Sequence, residues 1–238
     1  MPFLQPLPSK QCLLLQKLFL MKKWLIYIGF FTVLVLCFFF FLFRGTDNWQ
    51  KKSPIISYVQ PFKFTTQDGK PFTNADMKGK VCVVEYFFTT CKGICPMMNG
   101  NMRKVYEQFK DDPNFMVVAH TCDPDNDSVP RLRRYADSMK IDTKKWVLLY
   151  GRKDSLYRQG RNSYLLDDPK NNFEKLEDQF LHTQFFAVVD KNGQVRGQVY
   201  DGLKQKELDK LQQAVAKLLA EKAGPTGFVN GIFNNNPN

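Results

Sequence analysis

The sequence predicts an α/β domain carried behind one N-terminal membrane helix. Three observations support this. Trp24 to Phe43 is an unbroken apolar run, and beyond it short β-branched and aromatic runs alternate with stretches of helical spacing. The strongest of these runs, Val81 to Phe88, feeds directly into two cysteines, Cys91 and Cys95. Strands that alternate with helices place helices on both faces of one sheet.

The apolar run comes first. Trp24 to Phe43 is twenty residues without a charge, bracketed by Lys22-Lys23 and Arg44. At 1.5 Å per residue it spans about 30 Å, the thickness of a hydrocarbon core. Phe, Leu, Ile and Val occupy every face, leaving no polar stripe of the kind a soluble core helix turns to water. No small-x-small cleavage site follows, so the run reads as a retained anchor. Leu34-Val35-Leu36-Cys37 faintly resembles a lipoprotein box, but Leu36 is too large for the position before a modified cysteine, and more apolar residues follow. Met21-Lys22-Lys23 would itself begin such an anchor, which makes residues 1–20 read as an upstream extension. Lys10, Lys17, Lys22 and Lys23 precede the run without an acid, whereas Arg44, Lys51 and Lys52 follow it with Asp47. That balance slightly favours a cytoplasmic N-terminus.

The expected organisation is therefore a cytoplasmic segment (1–23), the anchor (24–43), a linker (44–60), one globular domain (61–222) and a disordered, Asn- and Gly-rich tail (223–238). Of the net charge of +11, residues 1–52 hold +6, leaving +5 on the remainder. Those charges are scattered as on solvated faces, which argues against nucleic acid as a partner.

Within the domain a first strand is expected at Pro61 to Thr66, followed by a tight turn at Asp68-Gly69, where glycine supplies the positive φ. The central strand is Val81 to Phe88. A helix runs from Cys95 to about Lys110, with Met98, Met102, Val105 and Phe109 at helical spacing. Phe115 to Ala119 is a strand, Val129 to Met139 a helix and Trp146 to Tyr150 a short strand. Gly151 to Gln179 lacks a clear period and reads as an insertion. Phe185 to Val189 is a strand, Lys191-Asn192-Gly193 a turn, and Val195 to Tyr200 the hairpin partner. The closing helix carries Leu208, Leu211, Val215, Leu218 and Leu219 on one stripe.

The chemistry concentrates at the two cysteines. On a helix, positions i and i+4 lie on one face about 6 Å apart, so both sulfurs reach one disulfide or one metal ion. Thiol redox, soft-metal binding, or both remain open. Cys91 is expected at the helix N-terminus, where free N–H groups and the macrodipole favour its thiolate. Cys82, Cys37 and His120 read as structural, Met98 and Met102 as core, and Met97 as a candidate for exposure.

These residues fall into a recognisable order. A strand ending in Phe87-Phe88-Thr89 is followed by Cys91-x-x-x-Cys95-Pro96 and, much later, by Leu181-His182-Thr183 ahead of another strand. Asp68-Gly69-Lys70, Lys78-Gly79-Lys80, Asp123-Pro124-Asp125-Asn126-Asp127 and Val189-Asp190-Lys191-Asn192-Gly193 complete the pattern. Over roughly residues 60–220 the chain resembles the Sco/SenC family of copper-binding thioredoxin-fold proteins.

The resemblance implies a thioredoxin-like fold and a metal site of Cys91, Cys95 and His182. Two thiolates and an imidazole form a soft set suited to Cu(I) and able to hold Cu(II). Zinc would call for a fourth ligand, which Cys122 or Asp123 could supply. The acidic loop residues Asp123 and Asp127 would either tune the ligands or cap the helix that follows. Cys122 departs from the family pattern; it either neighbours Cys91 or is packed away, and an inert role is slightly favoured. The resemblance also implies a metallochaperone more than an enzyme, and thiol chemistry outside the cytoplasm, with the charge balance around the anchor, places it in the bacterial inner membrane with its domain in the periplasm. It would deliver copper to the binuclear copper centre of a respiratory cytochrome c oxidase, or maintain the thiols of that centre. Its partners would be the copper-site subunit of the oxidase and other thiol-redox or copper-carrier proteins.

Two other functions compete. A thiol-disulfide oxidoreductase without stoichiometric metal typically carries Cys-x-x-Cys and a proline before the strand near the thiols; here the spacing is one longer, and Thr183-Gln184 stands in that place. A peroxidase of the peroxiredoxin type would need Thr three before its cysteine, where this chain has Phe88.

Overall fold

The structure, a computed structural model, describes residues 9–43, 52–167, 181 and 183–222. It divides into two compact units, Met1–Lys51 and Lys52–Asn238. The described part of the first is one helix, α1 (Ser9–Phe43). Within it Met21–Phe41 has a mean hydropathy of 2.5 and is not buried at all, so it is long and apolar enough to cross a membrane. The helix begins well before Trp24 because neither proline nor glycine interrupts the Leu- and Lys-rich residues after Pro8.

Among its described residues the second unit has nine strands: β1 (Ile55–Tyr58), β2 (Lys63–Thr66), β3 (Pro71–Thr73), β4 (Val81–Phe87), β5 (Phe115–Thr121), β6 (Trp146–Tyr150), β7 (Phe185–Val189), β8 (Gln194–Arg196) and β9 (Tyr200–Asp201). Its helices are α2 (Cys95–Phe109), α3 (Val129–Met139), α4 (Lys153–Arg158) and α5 (Gln205–Ala220). The strand order is β1-β8-β7-β4-β5-β6-β2-β3, with β9 paired to β7. Strands β4, β5 and β6 are parallel, in a register that sets Val81 opposite Phe115 and Val117 opposite Trp146. Strand β7 runs antiparallel to β4, and β2 antiparallel to β6.

All seven residues of β4 are buried, so its side chains alternate between two cores. Val81, Val83 and Phe87 pack with Met98, Leu132 and Leu211 from α2, α3 and α5. Cys82, Val84 and Tyr86 pack on the opposite face with Leu156, Tyr157 and Tyr164 from α4 and the turn after it. Each large apolar side chain buried in this way stabilises the fold by about 1.5–3 kcal/mol.

Three expectations change. The C-terminal end of the expected linker contains β1, which pairs antiparallel with β8 at the sheet edge. The expected hairpin strand Val195 to Tyr200 is two strands, because Gly197 takes φ +81 and breaks the ladder before β9 pairs with Phe185 and Phe186. The first part of the expected insertion is ordered: α4 and a π-helical turn, Gln159–Ser163, bury Leu156, Tyr157 and Ser163. The rest of the insertion, 168–179, lies outside the described residues, as do the expected cytoplasmic residues 1–8, the linker residues 44–51 and the tail from 223 onward.

Candidate thiol and metal site

Because β4, β5 and β6 are parallel, their C-terminal ends share one edge of the sheet, and antiparallel β7 begins at that edge. Ligand sites of open α/β sheets favour this position. Four segments converge on it: residues 88–94 after β4, 122–128 after β5, 151–152 after β6, and 181 with 183–184 before β7.

Cys95 is the first residue of α2 and is 4% exposed, whereas Cys91 precedes the helix by one turn and is half-buried. The pair therefore does not lie on one helical face. Instead Cys91 sits above the helix start. No side-chain cap is made by Ile94, the residue that begins the helix, and Pro96 follows in its first turn. There the thiol of Cys95 and the backbone N–H groups of Cys95, Gly93 and Ile94 favour the thiolate of Cys91. Partial burial alone would push the Cys91 thiol up, but these donors together outweigh it and hold its pKa below the ordinary thiol value. Cys95 moves the other way. Burial pushes it up to about 12, reinforced by its hydrogen bond to Cys91 and by the charges of Cys91 and Glu85, against a smaller opposing effect of the Phe88 N–H. Both cysteines are free thiols, so the site is a reduced pair with one nucleophilic sulfur and one held proton.

Asp127 is fully buried at the end of the loop after β5. Its carboxylate accepts hydrogen bonds from the Thr89 N–H at 3.1 Å, from the Thr89 hydroxyl and from the Thr121 hydroxyl at 2.7 Å. It does not cap α3, since the N-cap position is Ser128 and no side-chain cap bond is made there. Asp123 is half-buried; its carboxylate accepts from the Asn126 amide at 2.9 Å, and its carbonyl accepts from the Asp127 N–H at 2.8 Å. These bonds close the loop on itself.

Cys122 is 2% exposed and its thiol donates to the Phe87 carbonyl at 3.3 Å. Burial, with smaller contributions from the charges of Cys95, Asp127 and Asp123, pushes its pKa far up. It is thus close enough to Cys95 to feel its charge but is held against β4 as a protonated thiol. Met97 is exposed, whereas Met98 and Met102 are buried as core residues. His182 lies outside the described residues. Its neighbours Leu181 and Thr183 are both buried, and the Thr183 hydroxyl accepts from the Phe185 N–H at 3.2 Å at the start of β7. Among the described residues no three His, Cys, Asp or Glu side chains are grouped to hold a metal ion, so this part of the site supplies two thiols.

Two features escape the sequence reading. Glu85, inside β4, is 1% exposed, and its Oε2 has no hydrogen-bond partner among the described residues. Burial raises its pKa to about 8, with the Trp146 indole acting in the opposite sense. The signal was a single acid within an otherwise apolar strand. Thr89, the clamp partner of Asp127, had no signal beyond its place two residues before Cys91.

The fold and site define a dithiol protein of thioredoxin-like architecture. A family model described as SCO1/SenC matches residues 50–220. The SCO1 protein homolog of Bacillus subtilis is 30% identical over 159 residues, which cover 65% of this chain and 80% of the relative. The solved structure of BsSco, a member of the Sco family of cytochrome c oxidase assembly proteins with a disulfide switch, superimposes with a TM-score of 0.60 at 26% identity, covering 73% of this chain and 100% of that one. ScoI of Bradyrhizobium japonicum, solved with copper bound, shares the fold at a TM-score of 0.51 and 21% identity, over 68% of this chain and 98% of that one. The chain belongs to the SCO1/SenC family.

Proposed function

We propose that the protein is a membrane-anchored copper-binding protein that holds one copper ion through Cys91, Cys95 and His182. It delivers the ion to the binuclear copper site of a cytochrome c oxidase, or keeps the cysteines of that site reduced. The observation that carries this reading is the free Cys91–Cys95 pair, with one sulfur favoured as thiolate at the accessible end of the sheet. Two thiolates and an imidazole are the donors that soft Cu(I) prefers. Membership of a family whose members include oxidase assembly proteins, and a relative solved with copper, support the cargo and the partner. The α1 segment Met21–Phe41 would be the single anchor, in the bacterial inner membrane, with the domain in the periplasm. Asp123, Asp127 and Cys122 belong to the surroundings of the ligands and not to the ligand set.

Metal analysis of residues 52–238, purified reduced and incubated with copper, tests the assignment. The expected result is about one copper per chain, lost in Cys91→Ala and Cys95→Ala, because one thiolate and one imidazole leave the ion under-coordinated. Unchanged stoichiometry in Cys91→Ala would sink it. Cys122→Ser should leave stoichiometry unchanged, since the Cys122 thiol is committed to the Phe87 carbonyl.

A second reading is favoured by the asymmetry of the two thiols. A low Cys91 and a high Cys95 suit attack of the Cys91 thiolate on a partner disulfide. Cys95, on losing its proton, would then displace the partner thiolate to leave a Cys91–Cys95 disulfide. Stoichiometric reduction of a model disulfide by the reduced, metal-free protein, undiminished in His182→Ala, would favour this reading over copper delivery.

A further inference from the structure

The geometry points to Asp127 as a positioning residue for Cys91, acting through Thr89 rather than through charge or helix capping. This inference rests on the proposed role of the dithiol but not on copper as its cargo. The turn from Phe88 to Ile94 is held at one end by β4 and at the other by the first turn of α2. Between those ends, Thr89 ties it sideways to Asp127 through its backbone N–H and its hydroxyl. Asp127 in turn is fixed by the Thr121 hydroxyl at the end of β5, and the same strand end donates the Cys122 N–H to the Phe87 carbonyl at 2.9 Å. The Cys91 N–H, for its part, reaches the Phe88 carbonyl at 3.2 Å. The carboxylate thus pins the residue two before Cys91 to the neighbouring strand and fixes where the Cys91 sulfur meets the N–H groups of Gly93, Ile94 and Cys95.

The alternatives fail on particulars. Asp127 makes no cap bond to α3, its oxygens do not bond either site cysteine, and the groups that hold Cys91 below the ordinary thiol range are its own hydrogen-bond donors. Arg131, at 4.0 Å and 41% exposed, is too distant and too wet to be the main partner of the carboxylate. A buried carboxylate that accepts two donors from one turn and a third from the neighbouring strand end is a strong constraint, because leaving a buried acceptor unmade is costly.

The test uses the full chain in detergent, without copper, and reads two properties of the folded protein: the rate of Cys91 alkylation by iodoacetamide, followed at its peptide by mass, and the Cys91–Cys95 disulfide equilibrium against a glutathione buffer. Asp127→Asn and Thr89→Val should each slow alkylation by about tenfold and shift the disulfide equilibrium by a similar factor, while Thr89→Ser, which keeps the hydroxyl, should stay near wild type. The double variant should be little worse than Asp127→Asn alone, because the hydroxyl bond that Thr89→Val removes is made to the carboxylate that Asp127→Asn already replaces. Thr89→Val, nearly isosteric, carries the test if Asp127→Asn does not fold. Variants that melt earlier but keep wild-type alkylation and disulfide equilibrium would overturn the assignment and leave Asp127 a purely structural residue. Normal behaviour of this clamp in a protein that takes up no copper would refute the copper reading alone.

Discussion

Two buried ionisable side chains give the domain opposite pH sensitivities. Glu85 is held protonated by burial up to about pH 8, whereas the same group in the unfolded chain ionises near 4.5. The folded state therefore binds the extra proton between those values, and the contribution is full below pH 4.5 and lost as pH rises through about 8. The displacement from 4.5 to about 8 corresponds to on the order of 5 kcal/mol. Glu85→Gln should flatten the decline in urea midpoint between pH 5 and pH 9. His120 is the mirror case. Its ring lies 5.0 Å from Tyr86, 5.4 Å from Tyr164 and 5.5 Å from Phe64, and neither nitrogen has a partner among the described residues. Burial lowers its pKa from 6.5 to about 3, so its contribution is full above 6.5 and lost as pH falls through about 3. His120→Phe, which replaces an unpartnered polar ring by an apolar one of similar shape, should hold stability into acid while changing little at pH 7. A wild-type acid limb in that variant would show that protonation of His120 does not drive acid unfolding. The expectation that His120 is structural agrees with this environment, but its lack of partners could not be read from sequence, because the aromatic box comes from four separate segments.

At the level of elements, the break between β8 and β9 depends on one glycine. Gly197 has φ +81, and an added Cβ would stand 3.0 Å from the Tyr200 hydroxyl. Gly193, with φ +78, has open space around it. Gly197→Ala should cost about 1–2 kcal/mol for the left-handed backbone and more for the displaced tyrosine, so its loss should exceed that of Gly193→Ala in the same denaturation series. Equal losses would mean that the Tyr200 contact is soft. The strands and helices with strong periodicity, β4, α2, α3, β6 and β7, could be read from the sequence nearly to the residue, because an apolar stripe or run marks both their ends, and the stripe of α5 gave its core face. Three elements could not. β1 lies between Pro54 and Pro61 and owes its existence to pairing with β8, a contact across about 140 residues. α4 is six residues long, too short to display a helical period. The i, i+4 spacing of the cysteines suggested one helical face, but the helix begins only at Cys95, so the pair is built by a turn stacked on a helix end. The residue types of the thiol pair were legible all the same, because a strand leading into Cys-x-x-x-Cys-Pro constrains both position and chemistry. The clamp at Asp127 was only half legible: the acid stood out in the sequence, but the threonines that define its role come from two other segments.

Across the whole molecule, the two cores separated by the sheet give its parts very different freedom. Strand β4 is buried along its full length and paired on both sides, to β5 and β7, so its backbone amides have no route to solvent short of opening the entire sheet. The segment that follows it carries Cys91 and lies outside the strand pairing, tied to the loop after β5 through Thr89. In hydrogen-exchange terms, the amides of Val83 to Tyr86 should exchange only at the rate of global unfolding, while those of Thr90 to Gly93 should exchange many orders of magnitude faster, through local opening. The interval between these two opening free energies is a measurable property of the site. It sets how far the thiol pair can rearrange, from separate thiols to a disulfide or around an incoming ligand, while the strand behind it keeps its pairing. A domain built in this way can change the covalent state of its reactive end repeatedly at almost no risk to its fold, and matching exchange rates in the two segments would show that the reactive end has no such independence.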